Sequence, residues 1–247
     1  MKPYLFIAVA FITIFTSCAH KSGHLKDNIA ESKAVTKVSA VETSNIDDTV
    51  SNSQKQINNS AKAELSGNEI FKRYNQAVFM IYTSNGNEGF QGSGFFINDS
   101  GLAVSNYHVF KGTLKGKEIV KLSSGYNYRV KNVLAKDEKC DFILFQVACE
   151  NTTYIPIAKD RPEIGDKAFA IGSPQGLENT FSEGVISQWR DKNIMQISVQ
   201  IDHGSSGGAL INTNGEVIGI TSGTFCEGSQ ANLNYAESID VIKPYLK

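Results

Sequence analysis

From residue 77 onward, apolar residues come in short runs, many alternating with polar ones, and clusters of Gly, Asn, Asp and Ser separate the runs. They cover 77–83, 90–97, 102–105, 118–123, 126–135, 141–148, 167–171, 181–188, 194–201, 209–212, 217–222 and 233–238. Period-two alternation is the mark of a strand with one buried face. So many short strands, with no long amphipathic helix between them, predict an all-β chain built as a sandwich or barrels. Asn98-Asp99-Ser100-Gly101 and Asn212-Thr213-Asn214-Gly215 read as hairpin turns, because these residues tolerate turn backbone. Just upstream, Ser66 and Glu69 have the spacing of a capping box, and Leu65 with Ile70 stands where a hydrophobic staple sits. A short helix to about Tyr74 is expected.

The N-terminal part has a different pattern. Residues 1–18 hold one Lys, an apolar run from 4 to 15 and then small residues. The run is too short for a permanent membrane span, which needs roughly 20 apolar residues, and has the length of a signal-peptide core. Phe15-Thr16-Ser17-Cys18-Ala19 resembles the bacterial lipobox, with Phe15 where Leu is usual, and the resemblance implies acylation of Cys18. The same residues also offer an ordinary signal-peptidase site, and either route exports the chain. Residues 19–64 are mostly polar and, up to about 63, contain no aromatic residue, so they are expected to form a disordered tether that buries too little apolar area to order itself. The remainder, 65–247, forms the folded domain.

Composition narrows the partners. The formal net charge is -1 with 41% hydrophobic residues, so nothing suggests nucleic acid or an anionic lipid surface, and a core is well supplied. Of the 4 Cys, Cys140 and Cys149 flank one strand, too far apart in an extended chain to bridge. Pairing of either with Cys226 is left open.

Candidate chemistry begins at Gly204-Ser205-Ser206-Gly207-Gly208. A Gly/Ser pentapeptide is often only a loop. It also fits the nucleophile elbow of α/β-hydrolases, but that arrangement needs a His after the Ser and a helix after the elbow. The histidines are His20, His24, His108 and His203, none follows Ser206, and 209–212 reads as a strand.

The order His, Asp, Ser fits instead. Gly92-Ser93-Gly94-Phe95-Phe96-Ile97 followed by Ser105-Asn106-Tyr107-His108-Val109 resembles the histidine segment of chymotrypsin-like serine proteases. Cys140-Asp141-Phe142-Ile143-Leu144-Phe145 resembles their aspartate strand. Ile171-Gly172-Ser173-Pro174-Gln175-Gly176, then Phe181-Ser182-Glu183-Gly184-Val185-Ile186-Ser187, is similar to a segment of the HtrA (Deg) branch. The stretch from Gln200 to Leu210 is similar to its nucleophile segment.

The resemblance implies two six-stranded antiparallel β-barrels and a serine endopeptidase acting on extended or unfolded polypeptides. It assigns His108 as base, Asp141 as acid and Ser206 as nucleophile, with Gly204 and Ser206 N–H groups forming the oxyanion hole. His203 lies nearer to Ser206 in the chain, but at a place where the family keeps no base. Ser222, Gly223 and Thr224 are implied as the substrate-pairing edge, Ser222 also as a donor to Asp141, and Gln200 and Ile201 as the P1-pocket wall. With no acidic residue there, a small or medium apolar P1 side chain is expected. Ser205 stands where the family has Asp or Asn, so activation by a newly cut N-terminus is not expected. No PDZ domain is expected after the protease. No metal or other cofactor is implied, since no close-spaced ligand pair accompanies His108 and His203. The expected partners are polypeptides and, through a lipid on Cys18, a membrane; oligomeric state is left open. An inactive, peptide-binding protease fold is the alternative.

Overall fold

The computed structural model describes residues 63–173, 179–224 and 233–246. The expected leader with Cys18, the tether up to residue 62, and Cys226 lie outside the described residues.

Ser66 opens the first helix as its sequence suggests. Its hydroxyl accepts from the Glu69 N–H, and its own N–H donates to the Glu69 carboxylate at 2.8 Å. Two amide groups that a helix end leaves without partners are thereby satisfied. This helix, α1 (Gly67–Tyr74), buries Ile70 and Tyr74, and Leu65 packs against the same cluster.

Six strands then close a first barrel: β1 (Val78–Ser84), β2 (Gly89–Phe96), β3 (Leu102–Ser105), β4 (Ile119–Leu122), β5 (Asn127–Asp137) and β6 (Phe142–Val147). Their order around it is β1-β2-β3-β6-β5-β4. Six more close a second: β7 (Lys167–Gly172), β8 (Thr180–Trp189), β9 (Ile194–Ile197), β10 (Ala209–Asn212), β11 (Val217–Thr224) and β12 (Asn234–Ser238). Here the order is β10-β11-β12-β9-β8-β7. All pairings within the barrels are antiparallel. Closure removes the free edges that an open sheet would expose. The fold is the double barrel that the resemblance implies.

Strand bounds follow the apolar runs closely, with two informative departures. β9 stops at Ile197 instead of running to 201. Beyond it, Ser198 Oγ accepts the Val185 N–H at 2.9 Å and Asn234 Nδ2 donates to Val199 O at 2.7 Å, so side chains replace ladder partners. Asp141 does not open β6 but stands just before it with φ 39, a left-handed conformation uncommon outside Gly.

Alternation along the strands divides the core. Ile143, Phe145 and Val147 of β6 join Phe79, Ile81, Phe96 and Phe110 inside the first barrel. Phe142 and Leu144, on the opposite face, join Phe95, Phe169, Ile171, Ala209, Ile211 and Ile220 in a cluster that both barrels share, together with Ile70 of α1. Met195, Ile197, Ile186, Leu210 and Ile218 fill the second barrel. Each large side chain buried in this way contributes about 1.5–3 kcal/mol. The shared cluster therefore fixes one barrel against the other, and the candidate residues lie on turns that both supply.

Candidate active site

His108 sits in a single 3-10 turn, Tyr107–Val109, directly after β3. The turn is tied to the residue before β6 by four hydrogen bonds. Tyr107 N–H and Asn106 Nδ2 both donate to the carbonyl of Asp141, at 3.2 and 2.8 Å. His108 N–H donates to Asp141 Oδ1 at 2.8 Å, and His108 Nδ1 lies 2.7 Å from Asp141 Oδ2. An ionised carboxylate only accepts, so Nδ1 carries the proton and Nε2 is left with its lone pair. The left-handed backbone of Asp141 is held by this web, as strained conformations at functional positions commonly are.

The second barrel supplies one more donor. Ser222 Oγ lies 3.1 Å from Asp141 Oδ2. The register of β11 against β12 shifts between Thr221 and Gly223, so Ser222 falls at a bulge. Bulges re-aim side chains, and this one turns the Ser222 hydroxyl onto the carboxylate. The geometry matches the bond expected from sequence.

Ser206 lies in the loop before β10. Its carbonyl accepts from Ser93 N–H at 2.8 Å, which fastens the loop to β2. A Cβ on Gly92 would fall 2.7 Å from Val109 Cγ1 and 3.3 Å from Ser206 O, so the His108 turn and the Ser206 loop both close on this one residue. A Cβ on Gly223 would lie 3.4 Å from Ser206 Oγ, which puts the hydroxyl one residue along from Ser222. The His108 turn and the Ser206 loop thus adjoin at β2, and Ser206 Oγ lies beside the β11 bulge that carries Ser222. Among the described residues, no hydrogen bond joins Ser206 Oγ to the His108 ring. Contacts of this kind are often long before a substrate is bound.

The loop's amides are unevenly used. Ser205 N–H donates to Asp202 O at 2.9 Å, Gly207 N–H to Thr221 O at 2.7 Å, and Gly208 N–H to Ser205 O at 2.9 Å. Among the described residues, the N–H groups of Gly204 and Ser206 have no acceptor. Gly204 and Gly207 have φ +93 and +89, which only glycine adopts without strain, and a Cβ at Gly207 would be 2.1 Å from Ser93 O. Ser205 is buried, and its hydroxyl accepts from Asp202 N–H at 3.3 Å, closing the loop locally.

The other predicted positions are distributed as follows. The His203 backbone N–H donates to its neighbour Asp202, and its side chain is exposed. Gln200 is exposed, with its carbonyl accepting from Ser182 Oγ at 2.6 Å, and Ile201 is half-buried against the second-barrel core. Gly223 and Thr224 are in β11. Cys140 and Cys149 are free and half-buried, and burial pushes the Cys149 thiol up to about 11. No cluster of three or more His, Cys, Asp or Glu suited to a metal occurs among the described residues.

Several supporting residues were not singled out from sequence. Ser93 Oγ donates to Gly204 O at 2.7 Å and accepts from Ser173 N–H at 2.9 Å, while Ser105 Oγ donates to Ser93 O at 2.7 Å. Gln91 Nε2 donates to Ser173 O at 2.8 Å. In the sequence, Ser93 and Ser105 stand only as letters within the histidine-segment motifs. A cleft of about 440 Å³ also opens beside His108 and Asp141, with Glu237 of β12 in its wall.

Comparison with known proteins fits this geometry. The trypsin-like peptidase domain family matches residues 92–220, just over half of the chain and spanning all three candidate positions. A probable serine protease do-like of Buchnera aphidicola is 36% identical over 164 residues, covering 62% of this chain and 34% of that protein. A probable periplasmic serine endoprotease DegP-like of Chlamydia trachomatis is 35% identical over 141 residues, covering 53% and 28%. The crystal structure of the serine endoprotease from Yersinia pestis superimposes with a TM-score of 0.66 at 29% identity, covering 74% of this chain and 66% of that one. The chain spans about a third of the length of these curated relatives. With a double barrel, a bonded His–Asp pair and a glycine-framed serine on adjoining turns, this chain belongs to the trypsin-like peptidases, alongside DegP-like relatives.

Proposed function

We propose that this protein is an exported serine endopeptidase that cleaves extended or unfolded polypeptides through His108, Asp141 and Ser206. The observation that carries the reading is the double hold of Asp141 on His108, through backbone N–H and ring Nδ1 at once. It fixes the tautomer in which Nε2 can accept a proton. A serine hydroxyl is a weak nucleophile at neutral pH and needs such a base as it attacks.

In this mechanism Ser206 Oγ attacks the scissile carbonyl while His108 Nε2 takes its proton. The imidazolium formed is stabilised by Asp141 and then protonates the leaving amine, leaving an acyl-enzyme. Water, activated by the same imidazole, releases the acyl group. The carbonyl oxygen becomes negative in each tetrahedral intermediate. The unengaged N–H groups of Gly204 and Ser206 are suited to receive it, and each such donor is worth on the order of 10²–10³ in rate. Ser222, Gly223 and Thr224 supply the edge on which an extended substrate lies as an added strand, and Gln200 and Ile201 line the pocket for a small or medium apolar P1 side chain. Export is supported by the leader-like residues 1–18 and by the DegP-like relative's description as periplasmic. We assign residues 19–64 as the tether and Cys18 as the lipid attachment to a bacterial membrane.

A fluorophosphonate probe tests the reading. Purified wild type is expected to be labelled at Ser206, and Ser206→Ala is expected to lose labelling while retaining its circular dichroism. Folded wild type that resists the probe but still binds unfolded peptide would establish the binding-module alternative.

A further inference from the structure

Glu237 is a buried carboxyl that the proposed mechanism does not use. It lies on β12, opposite Ile220 of β11 and Ile194 of β9, and is 6% exposed. Among the described residues, no donor reaches its side chain. It shares the wall of the 440 Å³ cleft with His108, Asp141 and Ser222. The charged and titratable groups around it come from four places. Asp141 and His108 stand on the two turns of the first barrel. Tyr107 and Lys111 flank His108, and Lys111 is paired with Glu138. Lys139 lines the cleft and Cys140 lies near, both on the segment leading to Asp141. Asp191 approaches from the β8–β9 turn. Two carboxyl groups therefore line one cleft, and among the described residues only Asp141 has donors.

We propose that Glu237 is a positioning residue of the triad, a second carboxyl whose charge state sets the basicity of His108 through the cleft it shares with Asp141. This rests on the triad reading of the site. Burial first, then the like charges of Asp141 and Asp191, push the Glu237 carboxyl up to about 8. Through the neutral range it is mostly uncharged, and of the two carboxyl groups only Asp141 bears a charge beside His108. As pH rises past this value, a second negative charge appears beside the pair. It favours the imidazolium that forms in the transition state more than it disfavours the oxyanion, because the cleft is lined by His108 and Asp141 and not by Gly204 or Ser206.

The pH profile of kcat/KM on a chromogenic peptide, from pH 5.5 to 10, tests this. Wild type is expected to show an acid limb and then a second rise centred near pH 8, of about two- to tenfold, as the new negative charge stabilises the imidazolium that forms in the transition state. Glu237→Gln, which mimics the neutral form, is expected to keep the acid limb and lose the second rise; Glu237→Leu should do the same. A profile of Glu237→Gln that coincides with wild type over the whole range overturns the proposal. If instead wild type has no activity that Ser206→Ala removes, it is the triad reading that has failed. A further readout does not depend on activity. The native state keeps a proton that an unfolded carboxyl releases near pH 4.5, so this group's effect is to lower wild-type stability as pH rises from about 4.5 to 8. Urea unfolding at pH 5 and pH 8.5 should show that loss shrinking in Glu237→Gln, whereas the same loss in both proteins would show that Glu237 titrates normally and would also overturn the proposal.

Discussion

The two barrels have the same strand count and pairing scheme, yet they fill and equip themselves differently. The first is packed with rings: Phe79 against Phe96 at 4.6 Å, Phe110 against Phe145 at 5.2 Å. The second is packed with Ile, Leu, Met and Ala, and its Trp189 sits at the margin. The contrast continues at the site. On the first-barrel side the Asp141 carbonyl and carboxylate are both taken up, by Asn106 Nδ2, the Tyr107 N–H, and the His108 N–H and ring. The loop from the second barrel arrives with two amides, those of Gly204 and Ser206, that have no acceptor among the described residues. One side fixes a charge pair in place, and the other holds donors in readiness for a charge that exists only during reaction. Electrostatic catalysis needs both, because donors already oriented do not have to reorganise when the charge appears.

Breaking the bonded side should have the larger effect. Asp141→Asn replaces an acceptor by a group that also donates, so His108 is pushed toward the tautomer whose Nε2 already holds a proton. We expect kcat/KM to fall on the order of 10⁴-fold with the fold intact, as in triads of this kind. Steady-state kinetics on a peptide substrate, with near-ultraviolet circular dichroism as the control, check it. A loss under tenfold would mean that the pair is not catalytic.

Breaking the open side should cost less. Gly204→Ala places a Cβ 2.8 Å from Gln91 Oε1 and 2.9 Å from Ser173 O, on backbone at φ +93. The loop must relax, and its free N–H turns away from the oxyanion position. The expected loss in kcat is on the order of 10²–10³, that of one oxyanion donor. A change confined to KM would show that residue 204 serves substrate binding alone.

The bonded half was the easier one to read in the sequence. His108 and Asp141 stand inside strings of apolar letters whose order matches a family, and strand alternation predicts which of those letters point inward. Contacts that depend on barrel closure left little local trace. Glu237 looks like any polar residue in an alternating strand, and its carboxyl is buried only because β9, β11 and the Asp141 turn close around it. The shortened β9 depends on Ser198 and Asn234 finding partners across the barrel. The apolar neighbours of Asp141 read as a strand, whereas its backbone turns left-handed to meet donors from a turn far away in the chain.

The smallest expected effect tests the seam between the halves. Among the described residues Ser222 is the one donor that the second barrel gives to the carboxylate, and it reaches Asp141 because β11 carries a bulge there. Ser222→Ala removes the hydroxyl but leaves the backbone edge and the three bonds His108 and Asn106 make to Asp141. A hydrogen bond to a charged group is worth about 1.5–3 kcal/mol when nothing replaces it. Ser222 and Asp141 are both half-buried, so water can take part of that role. A drop in kcat of about three- to tenfold is therefore expected, with KM unchanged, since in the proposed mode the substrate pairs with the backbone of this edge and not with the Ser222 side chain. Should KM rise while kcat holds, residue 222 acts on the substrate, and the two barrels meet only through the serine loop.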